Sequence, residues 1–99
     1  MSTPKIIIAG WYTVEPSKRD EVVKAHEDLM NRARQTPGCL DLAITADLVD
    51  PARINNFESW ASEEALQAFR KVANPPKQIA PILEMEMSKH HINKTEPPF

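Results

Sequence analysis

Cysteine is all but missing from this chain, and its scarcity is the first constraint. A lone thiol, Cys39, can form no internal disulfide, which leads us to expect a reducing, cytoplasmic setting. Long apolar runs are missing too, so no transmembrane helix is expected. The start, Met1-Ser2-Thr3-Pro4-Lys5, passes directly into a strand-like segment without the apolar stretch of a signal peptide. Charge of one sign is concentrated nowhere. The formal net charge is -2, with Lys and Arg scattered among Asp and Glu. No basic stripe is available to neutralise a phosphate backbone, so neither nucleic acid nor membrane is expected as a partner. Metal-ligand spacing is absent. His90 and His91 are adjacent and would point to opposite faces of a strand, and His26 is remote from both.

What is present fits one domain over residues 1–99, large enough for a single modest core. Lys5 to Val14 is β-branched and aromatic, the composition of a central strand. Gly10 interrupts it and marks either a bulge or a place where another group approaches the backbone. Pro16 opens a helix of about 18 residues, roughly 27 Å long, with Ser17 as its expected N-cap. Val22, His26, Leu29, Met30 and Ala33 form its apolar stripe. Pro37-Gly38 ends it. Cys39 to Val49 alternates, with Leu40, Leu42, Ile44, Ala46 and Leu48 on one face. Asp50-Pro51-Ala52 turns the chain into a further strand, Arg53 to Trp60. Ser62 to Val72 reads as a second helix with Leu66, Phe69 and Ala73 inward, broken by Asn74-Pro75-Pro76. Lys77 to Leu83 has room for one or two helical turns, limited by Pro81. Met85 to Asn93 is a last strand. Residues 1–4 and 94–99 are expected to be loose or docked on a partner.

The order is strand, helix, strand, strand, helix, strand. This predicts an α+β, ferredoxin-like split βαβ fold (βαββαβ) with an antiparallel sheet and both helices on one face. The other face still needs a cover, and a second copy packed sheet against sheet supplies one. Within Arg53–Trp60, alternation places Ile54, Asn56, Glu58 and Trp60 on one side. An amide, a carboxylate and an indole in one row are poor core material and good material for a pocket that orients an aromatic or carbonyl-bearing molecule. Asn56 is the candidate oxyanion donor and Trp60 the candidate aromatic wall. His26 offers an imidazole, the side chain suited to general-base work near neutrality, or a satisfied core position. Glu58 shares the pocket row, or serves a salt bridge or the helix start. Tyr12 shares the parity of Gly10 and is assigned to the pocket, leaving Trp11 for the opposite face.

Pro37-Gly38-Cys39-Leu40, the hairpin that follows, Glu58-Ser59-Trp60 and Ser62-Glu63-Glu64-Ala65-Leu66 together resemble the antibiotic biosynthesis monooxygenase family. The resemblance runs from Ile6 to about Ile92. It implies a dimeric α/β barrel. Family members include cofactor-free quinone-forming monooxygenases, haem-degrading enzymes and an isomerase of a signalling molecule. Asn56 and Trp60 match the Asn–Trp pair of the quinone-forming members. Where haem-degrading members carry an iron-binding His, this chain has Phe69 and Arg70, and Gly10 stands where they carry a first-strand Asn. Leu66 occupies the place of a Tyr found in some quinone-forming members. The resemblance thus implies catalytic Asn56 and Trp60 and neither metal nor cofactor; the residue pattern adds His26 as the candidate base, with Gly10, Tyr12, Glu58, Leu66 and Phe69 toward substrate. The expected reaction is oxidation of a phenol, anthrone or quinol by O2. The alternative is a non-oxygenating homodimeric binding protein or isomerase using the same pocket.

Overall fold

Apolar β-branched residues dominate the first strand, Pro16 opens the first helix and Ser62 caps the last, and the chain folds accordingly. The computed structural model describes residues 4–99. Its elements are β1 (Lys5–Thr13), α1 (Pro16–Ala25), α2 (Glu27–Arg34), β2 (Cys39–Ala46), β3 (Arg53–Trp60), α3 (Glu63–Val72) and β4 (Glu84–Ile92). The strands form one antiparallel sheet in the order β2-β3-β1-β4. This is the ferredoxin-like plan, with β1 and β3 in the centre. The helix-covered face carries Ile6, Ile8, Leu42, Ile44, Ile54 and Trp60, all buried, and Leu66 and Phe69 of α3 pack onto it. The molecule measures 47 × 33 × 19 Å, with a radius of gyration of 14.4 Å. A rounded chain of this length would have about 13 Å, so the domain is a flat two-layer slab. On the bare face, Arg53 lies over the Trp11 ring at 5.1 Å, and Phe57 is 39% exposed.

Several local expectations are corrected. The single long helix is broken at His26, whose backbone sits at φ -90, ψ 1 between α1 and α2. The cause is the residue itself. His26 Nδ1 lies 2.8 Å from the Val22 carbonyl oxygen, the acceptor that the His26 amide would use in a continuous helix. That amide instead donates to Val23 at 3.0 Å. A side chain competing for an i−4 carbonyl is a recognised cause of such breaks. Ser17 is not the N-cap. Glu15 holds that position without a side-chain bond, and Pro16 starts the helix, where a missing N–H costs nothing. Ser62 does cap α3, its hydroxyl accepting from the Ala65 amide at 3.1 Å.

The second strand stops at Ala46, short of Val49. Asp47 accepts from the amides of Val49 and Asp50 at 3.1 and 2.8 Å, an Asx-type turn that ends the ladder early. Leu48 is consequently 99% exposed. A register shift between Cys39 and Asp41 leaves Leu40 out of the alternation and exposed. Residues 77–83 contain no helical turn. They run as an irregular strap held by the Leu83 amide on Thr13 oxygen, at 2.8 Å.

Both glycines sit at close approaches. A Cβ on Gly38, at φ +89, would lie 2.5 Å from Ala65 Cβ. A Cβ on Gly10, at φ +156, would fall 2.1 Å from the Glu86 carbonyl oxygen. Gly10 is therefore where β4 comes close to β1. Gly10→Ala is expected to destabilise the fold by about 1–3 kcal/mol. The measurement is a urea midpoint, and an unchanged midpoint would refute the tight approach.

Candidate functional site

The site begins with the cross-strand register. Asn56 of β3 faces Gly10 of β1 on one side and Ile44 of β2 on the other, and Gly10 in turn faces Met87 of β4. Gly10 is the member of this row without a side chain, and the other three line a cavity of about 330 Å³. The helices close it from above with Leu66, Phe69 and Arg70 of α3 and with His26. Tyr12, one step along β1 on the same face, lines it too. A second cavity of about 230 Å³ adjoins it. Tyr12, His26 and Ile82 belong to both walls, and residues 76–80 and 82 line the second.

The polar row of β3 is internally hydrogen-bonded. Asn56 Nδ2 donates to Glu58 Oε2 at 3.2 Å, and Trp60 Nε1 donates to Glu58 Oε1 at 3.1 Å. Glu58 thus bridges amide and indole. Among the described residues, no buried side-chain nitrogen or oxygen is without a partner. Asn56 is 8% exposed and Trp60 fully buried.

The sequence-predicted residues are therefore brought together unequally. Asn56, Glu58, Tyr12, His26, Leu66 and Phe69 all face the main cavity. Trp60 does not. It lies behind the wall, paired across the sheet with Ile6 and Cys39, with its ring centroid 5.3 Å from that of Phe69. The aromatic lining expected of Trp60 is supplied by Phe69, which Trp60 supports from behind. Gly10 takes no part as a lining side chain; it shapes the floor by omission. Arg70, Ile82, Met85 and Met87 were not predicted. Arg70 sits four residues after Leu66 on α3, and Met85 and Met87 share the parity of the covered face, so spacing pointed to these three. Ile82 lies on a strap without periodicity and left no signal.

At His26 the Val22 carbonyl can only accept, so Nδ1 carries the proton of that contact. In the neutral ring Nε2 is then the bare, basic nitrogen. Burial pushes the Tyr12 phenol above its ordinary value of 10.0. The Cys39 thiol is also raised, by burial first and then by the nearby charges of Asp41 and Glu58. Among the described residues no group of three or more His, Cys, Asp or Glu side chains converges as a metal site would require.

A βαββαβ slab with a cavity between its sheet and its helices defines the class: a ferredoxin-like α+β domain. The sequence profile of the family described as antibiotic biosynthesis monooxygenase matches residues 6–74. The chain belongs to that family. A structure of a candidate antibiotic biosynthesis monooxygenase from Caulobacter crescentus CB15 is similar, with a TM-score of 0.69 at 19% identity, covering 93% of this chain and 92% of that one. A conserved protein from Bacteroides thetaiotaomicron VPI-5482, described as a possible oxidoreductase, aligns with a TM-score of 0.71 at 16% identity, over 92% and 100% of the two chains. At these identities the likeness concerns the fold. An uncharacterised protein of Synechocystis sp., sll1783, is 28% identical over 61 residues, which cover 62% of this chain and 42% of that relative.

Tyr12 is the chain's single tyrosine, so absorbance near 295 nm reads its ionisation directly. The expected midpoint lies above 10.0. Because the folded-state value is raised, its contribution to stability is constant below the unfolded value and declines as pH climbs from there through the folded one. A midpoint at or below 10 would mean that the phenol is not buried against the cavity.

Proposed function

We propose that the cavity oxidises a reduced aromatic of the phenol, anthrone or quinol class with O2, without a bound cofactor. The observation that supports this most directly is the placement of buried Asn56 and half-buried Glu58, polar groups in the wall of an otherwise largely apolar hollow that His26 also lines. Family membership supports the reaction class.

Loss of a proton from such a substrate gives an electron-rich anion that can pass an electron to O2 directly. One oxygen atom ends in the new carbonyl. The other leaves as water, with the two methylene hydrogens of an anthrone, or with the ring C–H hydrogen and one hydroxyl hydrogen of a phenol or quinol. The protein supplies a dry pocket, a base and an oxyanion partner. In this reading His26 Nε2 accepts the proton. Asn56 has one N–H committed to Glu58, and its second N–H holds the substrate oxygen. Trp60 acts through Phe69 and Glu58, holding both in place.

The withdrawal of Trp60 from the wall favours a second reading. Without an indole stacked on the ligand, the same pocket suits a non-oxygenating binding protein or an isomerase. Oxygen uptake by the purified protein with a panel of anthrones and quinols separates the two. Asn56→Ala is expected to lower kcat/KM by roughly a hundred- to a thousandfold, the usual effect of losing one such donor, and His26→Gln to reduce it comparably. Tight binding of the panel with no oxygen consumed would establish the binder instead.

The working form is a homodimer, with a second copy covering the bare sheet face that presents Trp11 and Phe57, in a reducing compartment that keeps Cys39 free. Phe57→Lys, which places a charge on that face, is expected to shift the protein toward monomer in sedimentation velocity at micromolar concentration. A wild-type protein that sediments as a monomer would overturn the pairing.

A further inference from the structure

Glu58 has acceptor capacity that the fold leaves unused. A carboxylate can accept about four hydrogen bonds, and here each oxygen receives one, from Asn56 at 3.2 Å and from Trp60 at 3.1 Å. Both donors come from the same strand, two residues to either side, and both belong to buried residues. The carboxylate is therefore held in one place before any ligand arrives. Glu58 itself is half-buried, and a carboxylate drawn partly out of water is ordinarily paired with a cation. Among the described residues, the ion pairs formed do not include Glu58. Its cross-strand neighbours are apolar, Ile8 on β1 and Leu42 on β2, so neither adds a side-chain donor. The cavity it lines offers Leu66 and Phe69 on the helix side, with Arg70 and His26 also in that wall but neither hydrogen-bonded nor ion-paired to Glu58.

We infer that Glu58 determines the cavity's specificity: its carboxylate, oriented by Asn56 and Trp60, accepts a hydrogen bond from the hydroxyl of a neutral aromatic ligand and disfavours the same ring lacking that donor. This rests on the aromatic reading of the cavity proposed above and names the polar group that is recognised. A hydrogen bond to a charged acceptor is stronger than a neutral one. An ether oxygen in the same place meets the carboxylate as acceptor against acceptor. An aryl carboxylate would meet like charge at Glu58 and could turn toward Arg70, so the decisive comparison uses neutral ligands.

The experiment measures dissociation constants at neutral pH for naphthalene, 1-naphthol and 1-methoxynaphthalene by calorimetry or competition fluorescence. The wild-type protein is expected to bind 1-naphthol roughly ten- to a hundredfold more tightly than 1-methoxynaphthalene. Glu58→Gln, whose amide can also donate to an ether oxygen, is expected to bring that ratio within about threefold; naphthalene measured on the same variant reads out any general loss of affinity from the Asn56 or Trp60 contact that the amide nitrogen cannot accept. Glu58→Asp, which retracts the carboxylate by one methylene, is a second variant in case the amide fails to fold, and it too should narrow the ratio. Naphthalene bound with a wild-type ratio within about twofold, or a ratio unmoved in a folded variant, would overturn the role of Glu58 and leave the aromatic site standing. Naphthalene that does not bind at all would take the aromatic site and this inference down together.

Discussion

The constraint on which the site depends is the shared carboxylate of Glu58. A strand in the middle of a sheet, covered on one face by helices, normally presents apolar side chains there. β3 presents an amide, a carboxylate and an indole among its four inward positions. Each would be costly to bury alone, on the order of 1–3 kcal/mol for an unpaired polar group. Glu58 resolves this within the strand: one oxygen takes the Asn56 amide and the other the Trp60 indole. Neither donor then needs a partner from the helices, which are free to stand back from the sheet. The hollow and the polar row are thus two consequences of one arrangement.

His26 shows the same economy on the helical side. By bonding to the Val22 carbonyl, the imidazole gives up a continuous helix and gains a fixed ring at the junction of the two cavities. A helix uninterrupted from Pro16 to Arg34 would carry its stripe past β1 with His26 as one more inward residue. The break instead ends α1 at Ala25 and begins α2 at Glu27. Local side-chain chemistry here overrides helical periodicity.

Much of the fold was legible because it rests on local rules. Alternation placed Asn56, Glu58 and Trp60 on one face, Ser62 announced α3, and element order led to the sheet topology. What escaped notice depended on competition between neighbours. The bulge at Leu40 and the Asx turn at Asp47 are decided by which of several polar groups takes an amide. The break at His26 turns on a single carbonyl. The site was legible in membership and less so in depth. Parity says which face Trp60 occupies, but not that Phe69 of α3 packs against it, leaving Phe69 and not the indole at the surface of the cavity. The 76–82 strap, pinned through Leu83 to Thr13, encloses a cavity with residues that carry no repeat.

Gly10 connects the hollow to the sheet's own geometry. It lies between Asn56 and Met87 in a row whose other members all reach into the cavity. Its missing Cβ has two effects that cannot be separated. β4 can approach β1 closely enough that any side chain would collide with the Glu86 carbonyl, and the floor of the hollow stays low beside the Asn56 amide. Because β4 is otherwise largely exposed, its attachment relies heavily on the backbone ladder to β1 that this approach permits. Met85 and Met87 reach the cavity only through that ladder. The residue that leaves space for a ligand is therefore the same one that secures the edge of the wall around it. A larger residue at position 10 would strike at the volume of the site and at the strand enclosing it in one step.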